Sequence, residues 1–223
     1  MTLDELINSA RSILDDEVGE DSENLWSDIE LTEYINDAIY NLCRRTHRLI
    51  VDSTTAAICQ IAVVAGTNLY TLSPRILEIQ KARLPSTTNY VRPVALNILD
   101  QRQGWEVTTG TPTYYCLDYQ TGSIMLYPIP IVTETMYLTV YRLPVTDLVY
   151  TTATASPEIP VQYHQDLLPW VYYKAYTKND VETANKLKSA EWKQIADVQY
   201  DKIYREYLRK VPSQPCGTMY GAL

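Results

Sequence analysis

Phenylalanine is absent from this 223-residue chain, histidine occurs twice and glycine only seven times. Each scarcity removes a class of chemistry. Phosphate-cradling loops need closely spaced glycines ahead of a helix, and neither GxGxxG nor GxxxxGK is present. The GxSxG turn that presents a nucleophilic serine is missing as well. The two imidazoles are His47, within an arginine cluster, and His164, at the start of an expected helix. A hydrolytic site around His164 and Asp166 is therefore the one enzymatic arrangement left to weigh. Cys43, Cys59, Cys116 and Cys216 are widely spaced and form no CxxC pair. They read as small buried hydrophobes, reduced and cytosolic, and neither as a zinc site nor as a disulfide framework. The acidic residues of 15–23 lack the DxDxDG spacing of a calcium loop. The expectation is a chain with no catalytic, cofactor or metal site, and so not an enzyme.

Long apolar runs are lacking too. The stretches 58–65 and 124–132 fall well short of the ~20 residues that span a bilayer, and Pro128 and Pro130 break the second. No basic region followed by an apolar one opens the chain, so no secretory signal is expected. The formal net charge is −8, with most of the acidic excess before residue 40. A static grip on nucleic acid needs Lys and Arg in place of phosphate counterions, which this balance disfavours.

What the chain does have is tyrosine, nineteen of them. A tyrosine buries its ring and keeps a polar tip, which suits half-buried surfaces and protein contacts; lineage bias in composition explains the same excess.

Thr2 with Glu5, and Ser27 with Glu30, match capping boxes. The first opens a helix over 2–14 whose stripe is Leu3, Leu6, Ile7, Ala10, Ile13 and Leu14. An acidic, Gly19-containing loop follows over 15–25. The second box opens a helix to about His47, with Leu31, Tyr34, Ile35, Ala38, Ile39 and Leu42 inward. The texture turns to β at about residue 50. Strands are expected at 54–64, 69–72, 76–84, 89–94, 113–118, 123–127 and 136–142, with a short helical stretch at 96–103 stopped by Gly104. Helix returns after Pro160, with Leu167, Leu168, Val171, Tyr172 and Ala175 inward and a kink expected at Pro169. Asp180 is expected to cap a last helix to about Arg209, facing inward with Trp192, Ile195, Ala196, Gln199, Tyr200, Ile203 and Tyr207.

The fold class read from this order is α+β. The N-terminal helices (1–50) and C-terminal helices (159–210) form a helical bundle, with an antiparallel β domain (51–158) inserted between them and an extended C-terminal arm (211–223). The arm's prolines and glycines deny it regular structure. It either docks on a partner through Val211, Pro212, Pro215, Met219, Tyr220 and Leu223, or is a disordered terminus. Arg44, Arg45 and Arg48 form the one dense basic cluster. They either touch DNA or an acidic partner, or simply suit the helix C-terminus.

Several segments, in order, resemble the head–tail connector proteins of tailed bacteriophages (adaptor, head-completion or tail-tubular-A-like). Trp26-Ser27-Asp28-Ile29-Glu30-Leu31 through Ile35-Asn36-Asp37-Ala38 to Arg44-Arg45-Thr46 is similar to that family's W-S-D-x-E-L helix. Gly66-Thr67, Tyr70 and Leu72, then Ile76-Leu77-Glu78-Ile79, follow the same pattern. So do Gly110-Thr111-Pro112 with Tyr114-Tyr115, Gly122-Ser123-Ile124-Met125-Leu126-Tyr127-Pro128-Ile129-Pro130, and Ile159-Pro160 with Tyr163-His164 and Leu167. Pro169 and the arm depart from it. The resemblance implies a virion protein at the neck, assembled in the host cytoplasm. It implies a ring of twelve copies that binds the portal protein above and a tail or nozzle protein below, with transient passage of double-stranded DNA and no membrane contact. The portal-facing element is expected at about 200–223. An alternative reading is a carbohydrate-binding or adhesin-like β module of a virion, in which exposed tyrosines and Trp105 stack on sugars.

Overall fold

The structure is a computed structural model that describes residues 1–16, 24–178 and 185–210. The expected loop over 15–25 lies partly outside them. The Asp180 cap and the arm, with Val211, Pro212, Pro215, Met219, Tyr220 and Leu223, lie wholly outside.

Helix α1 (Leu3–Leu14) opens on a complete capping box: Glu5 N–H donates to the Thr2 hydroxyl while Thr2 N–H donates to the Glu5 carboxylate. Helix α2 (Asp28–Thr46) repeats the device with Ser27 and Glu30. Such a box satisfies donors that the first helical turn leaves without partners. Helix α5 (Leu168–Thr177) follows two short 3-10 turns, Val161–Tyr163 and Gln165–Leu167. The expected kink at Pro169 is corrected, because this proline stands in the first turn of α5. A first-turn N–H has no intrahelical acceptor, so its loss costs nothing there. Helix α6 (Lys186–Lys210) is preceded by Asn185, whose side chain accepts from Lys188 N–H at 3.0 Å.

These four helices share one buried cluster. It holds Leu6, Leu31, Leu42, Val171 and Tyr200, and it extends to Leu143 and Ile159 from the segment that returns from the β region. Helices α1 and α6 each pack on both α2 and α5, which pack on each other. Two helices that flank the same touching pair occupy opposite corners of a bundle.

Between α2 and α5 lie ten strands and two short helices. In the first sheet β10 (Glu134–Arg142) is central, antiparallel to β4 (Ile76–Arg83) on one side. On its other side it pairs with β1 (Val51–Asp52) and β2 (Gln60–Val63). The second sheet has the order β3 (Leu69–Thr71), β8 (Ser123–Tyr127), β7 (Tyr114–Leu117) and β5 (Arg92–Pro93). The expected strand over 54–64 is half helix: Ala56–Cys59 forms α3 ahead of β2.

The β region is also not purely antiparallel. β5 runs parallel to β7, and β6 (Thr109–Gly110) runs parallel to β9 (Ile129–Pro130). Parallel pairing requires a crossover, and the stretch containing α4 (Leu96–Leu99) and the Trp105–Val107 turn provides one. Alternation along β8 explains why it is buried on both faces. Ile124 and Leu126 enter the cluster between the sheets with Ile79, Leu138 and Val140. Met125 enters a separate cluster with Cys116, Leu99 and Trp105. Gly122, at φ +69°, makes the left-handed turn between β7 and β8.

Candidate interaction surfaces

The arginine cluster of α2 does not converge on one face. Arg44 is exposed. Arg45 pairs with Asp197 of α6 at 2.5 Å and lies over the rings of Trp170 and Tyr200, 5.8 and 5.6 Å from their centroids. Arg48 turns to the first sheet, 3.5 Å from Glu78 and over the ring of Tyr141. Two of the three thus fasten α2 to its neighbours through ion pairs and cation–π contacts.

His164 is buried and does not meet Asp166. Its Nε2 lies 3.0 Å from Ile159 O and its Nδ1 lies 3.0 Å from Met1 N, so the ring ties the start of α1 to the approach to α5. Burial raises the Asp166 carboxyl, with Lys202 acting against it. No nucleophile–base pair results. Trp105, the expected sugar platform, is buried against Tyr127 with ring centroids 6.4 Å apart, so it offers no stacking face. Among the described residues no group of three or more His, Cys, Asp or Glu stands ready to hold a metal ion, and no helix is long and apolar enough to cross a membrane.

The densest polar construction joins the bundle to the β region, and sequence reading missed it. Arg142 Nε donates to Asp52 Oδ2 at 2.6 Å and its Nη1 donates to Glu158 at 2.6 Å. Burial alone would raise the Asp52 carboxyl. Hydrogen bonds from Thr55, Thr54 and Arg142 outweigh it and hold the group well below the usual aspartate range. Glu158 also accepts from Val145 N–H at 2.9 Å. Asn36 of α2 brackets Leu148, giving its amide to the carbonyl at 2.9 Å and accepting from the N–H at 3.0 Å. Tyr40 donates to Asp147 at 2.7 Å and accepts from Arg75, whose guanidinium also reaches Pro144 O. A cleft of about 240 Å³ runs along this joint between α2 and the 144–158 segment. Thr54 and Thr55 are close to Asp52 in sequence, but the pairs that join the bundle to the β region are far apart along the chain, so no local pattern announces them.

A second clasp holds the start of α2 on the end of α1. Arg11 sits in the otherwise apolar α1 stripe and donates to Asp16 at 2.5 Å, Asp28 at 2.7 Å and Trp26 O at 2.9 Å. An arginine at a stripe position was the signal available for it. Ile13 and Ile195, expected inward, are exposed at 53% and 41%. Other apolar side chains left in solvent include Leu25 and Ile29 beside the clasp, Leu187 and Val198 on α6, and Val64, Ile131 and Val132 at the tip of the β region.

A family model described as SU10 adaptor protein matches residues 1–214. No curated protein matches the chain.

Proposed function

Because the chain belongs to the SU10 adaptor protein family, and so to the structural proteins of the phage virion's head–tail junction, we propose that it forms a closed ring of twelve copies. The ring joins the portal vertex to the tail or nozzle and leaves an axial channel for double-stranded DNA. The observation that carries this is the family match across 1–214, nearly the whole chain.

A subunit in a closed ring uses two different faces, each with apolar area to bury, and the bundle leaves apolar side chains in solvent on α6 and beside the Arg11 clasp. A formal charge of −8 keeps the phosphate backbone from adhering, so DNA slides through. The braced joint at Arg142, Asp52 and Glu158 suits a part that bears load between head and tail. Portal docking belongs to the end of the chain, through Val211, Pro212, Pro215, Met219, Tyr220 and Leu223.

Negative-stain class averages of the full chain mixed with portal particles test the reading. Rings stacked on portals are expected; a protein that stays monomeric and never binds portals refutes it. Removal of 211–223 is expected to abolish co-sedimentation with portals while the circular dichroism spectrum stays unchanged. Undiminished co-sedimentation would remove the arm from the docking role.

A further inference from the structure

Two opposite corners of the bundle carry complementary surfaces. Helix α6 buries the stripe Ala196, Tyr200 and Ile203, with Trp192 and Tyr207 partly covered beside it. The positions opposite that stripe are Leu187, Val198, Lys202, Arg205 and Arg209, all exposed, with Glu191 among them. Val198 is 63% and Leu187 74% exposed. The last four positions follow at spacings of four, three and four, so they form one straight face. Val198, Lys202, Arg205 and Arg209 also line a shallow groove along the helix with Asp201 and Glu206. This face carries the apolar Leu187 and Val198 and a C-terminal half led by Lys202, Arg205 and Arg209, and nothing among the described residues covers it.

The other corner is mainly acidic, with Lys178 Nζ 2.8 Å from Glu30 and 3.3 Å from Leu25 O as the cation beside it. Arg11 is the only Lys or Arg before residue 44, and it is buried in its clasp. That clasp brings the end of α1 against the start of α2, because Asp16 accepts from Leu25 N–H at 2.7 Å and Arg11 holds Asp28. The surface so assembled exposes Ile13, Leu25 and Ile29 together with Asp15, Asp28 and Glu33. Ile29 and Glu33 stand one turn apart on the same side of α2.

We propose that these two faces meet between neighbouring copies: the basic apolar face of α6 on one subunit seats against the acidic apolar face at the α1–α2 clasp of the next. The occupant of each face is a second copy of this chain. Two arguments select it. The faces match in kind, apolar side chains ringed by opposite charge, which fixes register and disfavours wrong partners. They are also different faces at opposite corners, so the contact is head-to-tail, the kind that builds a ring where the rotation between copies closes. This rests on the ring reading above and assigns the faces that build the ring.

The test uses the full chain with portal particles, by sedimentation velocity and class averages. The paired change Val198→Glu with Arg205→Glu is expected to leave a folded monomer. It should raise the concentration needed for half assembly by at least roughly tenfold, since like charges facing each other cost several kcal/mol. Ile29→Lys with Glu33→Lys is expected to do the same from the other side. All four changes in one chain restore complementarity and are expected to restore rings. Rings formed as readily by each single-face variant overturn the pairing while the ring reading stands. Failure of the four-change chain to regain rings, while it stays folded, also overturns it. Intact rings that no longer sediment with portals would assign the α6 face to the portal instead. A parent protein that never forms rings fails the ring reading itself, and the pairing with it.

Discussion

Arg142 Nε and Asp52 Oδ2 stand 2.6 Å apart with side chains only 10% and 5% exposed, joining the central strand of the first sheet to its edge. Glu158 takes the other side of the guanidinium and carries the contact into the segment that leads to α5. Removing one partner of a buried pair leaves the other charge without compensation. Arg142→Met is therefore expected to lower stability by about 3–5 kcal/mol, read as a shifted urea midpoint at unchanged slope. A loss below about 1 kcal/mol would show that the joint does not depend on this pair.

The same pair sets an acid dependence. The Asp52 carboxyl is held below its ordinary value of 3.8, so the folded state favours its ionised form. The contribution is complete at neutral pH. It begins to fall as the pH drops to the ordinary aspartate range, and is gone below the native value. Urea midpoints between pH 7 and pH 3 should decline more steeply for the parent than for Asp52→Asn. Parallel declines would remove Asp52 from the acid response.

Tyr200 tests what the helical core requires. Its ring is buried, stacks on Trp170 at 6.1 Å and lies beneath Arg45, and its hydroxyl donates to Ala38 O at 3.4 Å. Tyr200→Phe keeps the ring and loses one long hydrogen bond, so a cost of about 1 kcal/mol or less is expected. Tyr200→Ala empties the site and should cost about 3–5 kcal/mol. Thermal unfolding of both variants gives the comparison, and equal costs would place the energy in the hydroxyl.

Cys43 is buried in the same core, and burial pushes its thiol up to about 12. Only the thiolate reacts with alkylating agents. At pH 8 the native residue should therefore stay unlabelled while urea-unfolded chains label at once. The thiolate fraction alone changes by on the order of a thousandfold between 12 and the ordinary 9.0. Peptide mapping after timed alkylation reads it, and rapid native labelling would show that α2 opens readily.

How much was legible depended on how local each signal was. Thr2 with Glu5 and Ser27 with Glu30 marked two helix starts because both partners of each box lie within four residues. The turn at Gly122 between β7 and β8 was readable for the same reason. Pro169 misled, since a proline is harmless in a first turn and disruptive one turn later, and only the 3-10 turns at 161–167 decide which applies. Ile13 misled because Arg11, held by Asp16 and Asp28, takes the inward place beside it. The division of the arginine cluster was not legible because Asp197 and Glu78, which take Arg45 and Arg48, are far along the chain.

By itself, then, the sequence determined the starts of α1 and α2, most of their periodic faces, the hairpin turn and the concentration of acid near the start of the chain. All of these follow from neighbours within a few residues or from composition. The tertiary structure alone decided that β3 and β4, adjacent in the chain, join different sheets, and that β5 and β7 run parallel. It alone placed Arg142 between Asp52 and Glu158 and set α1 and α6 at opposite corners. These depend on which distant surfaces exclude water together, and that free energy belongs to the folded chain as a whole and to no segment of it.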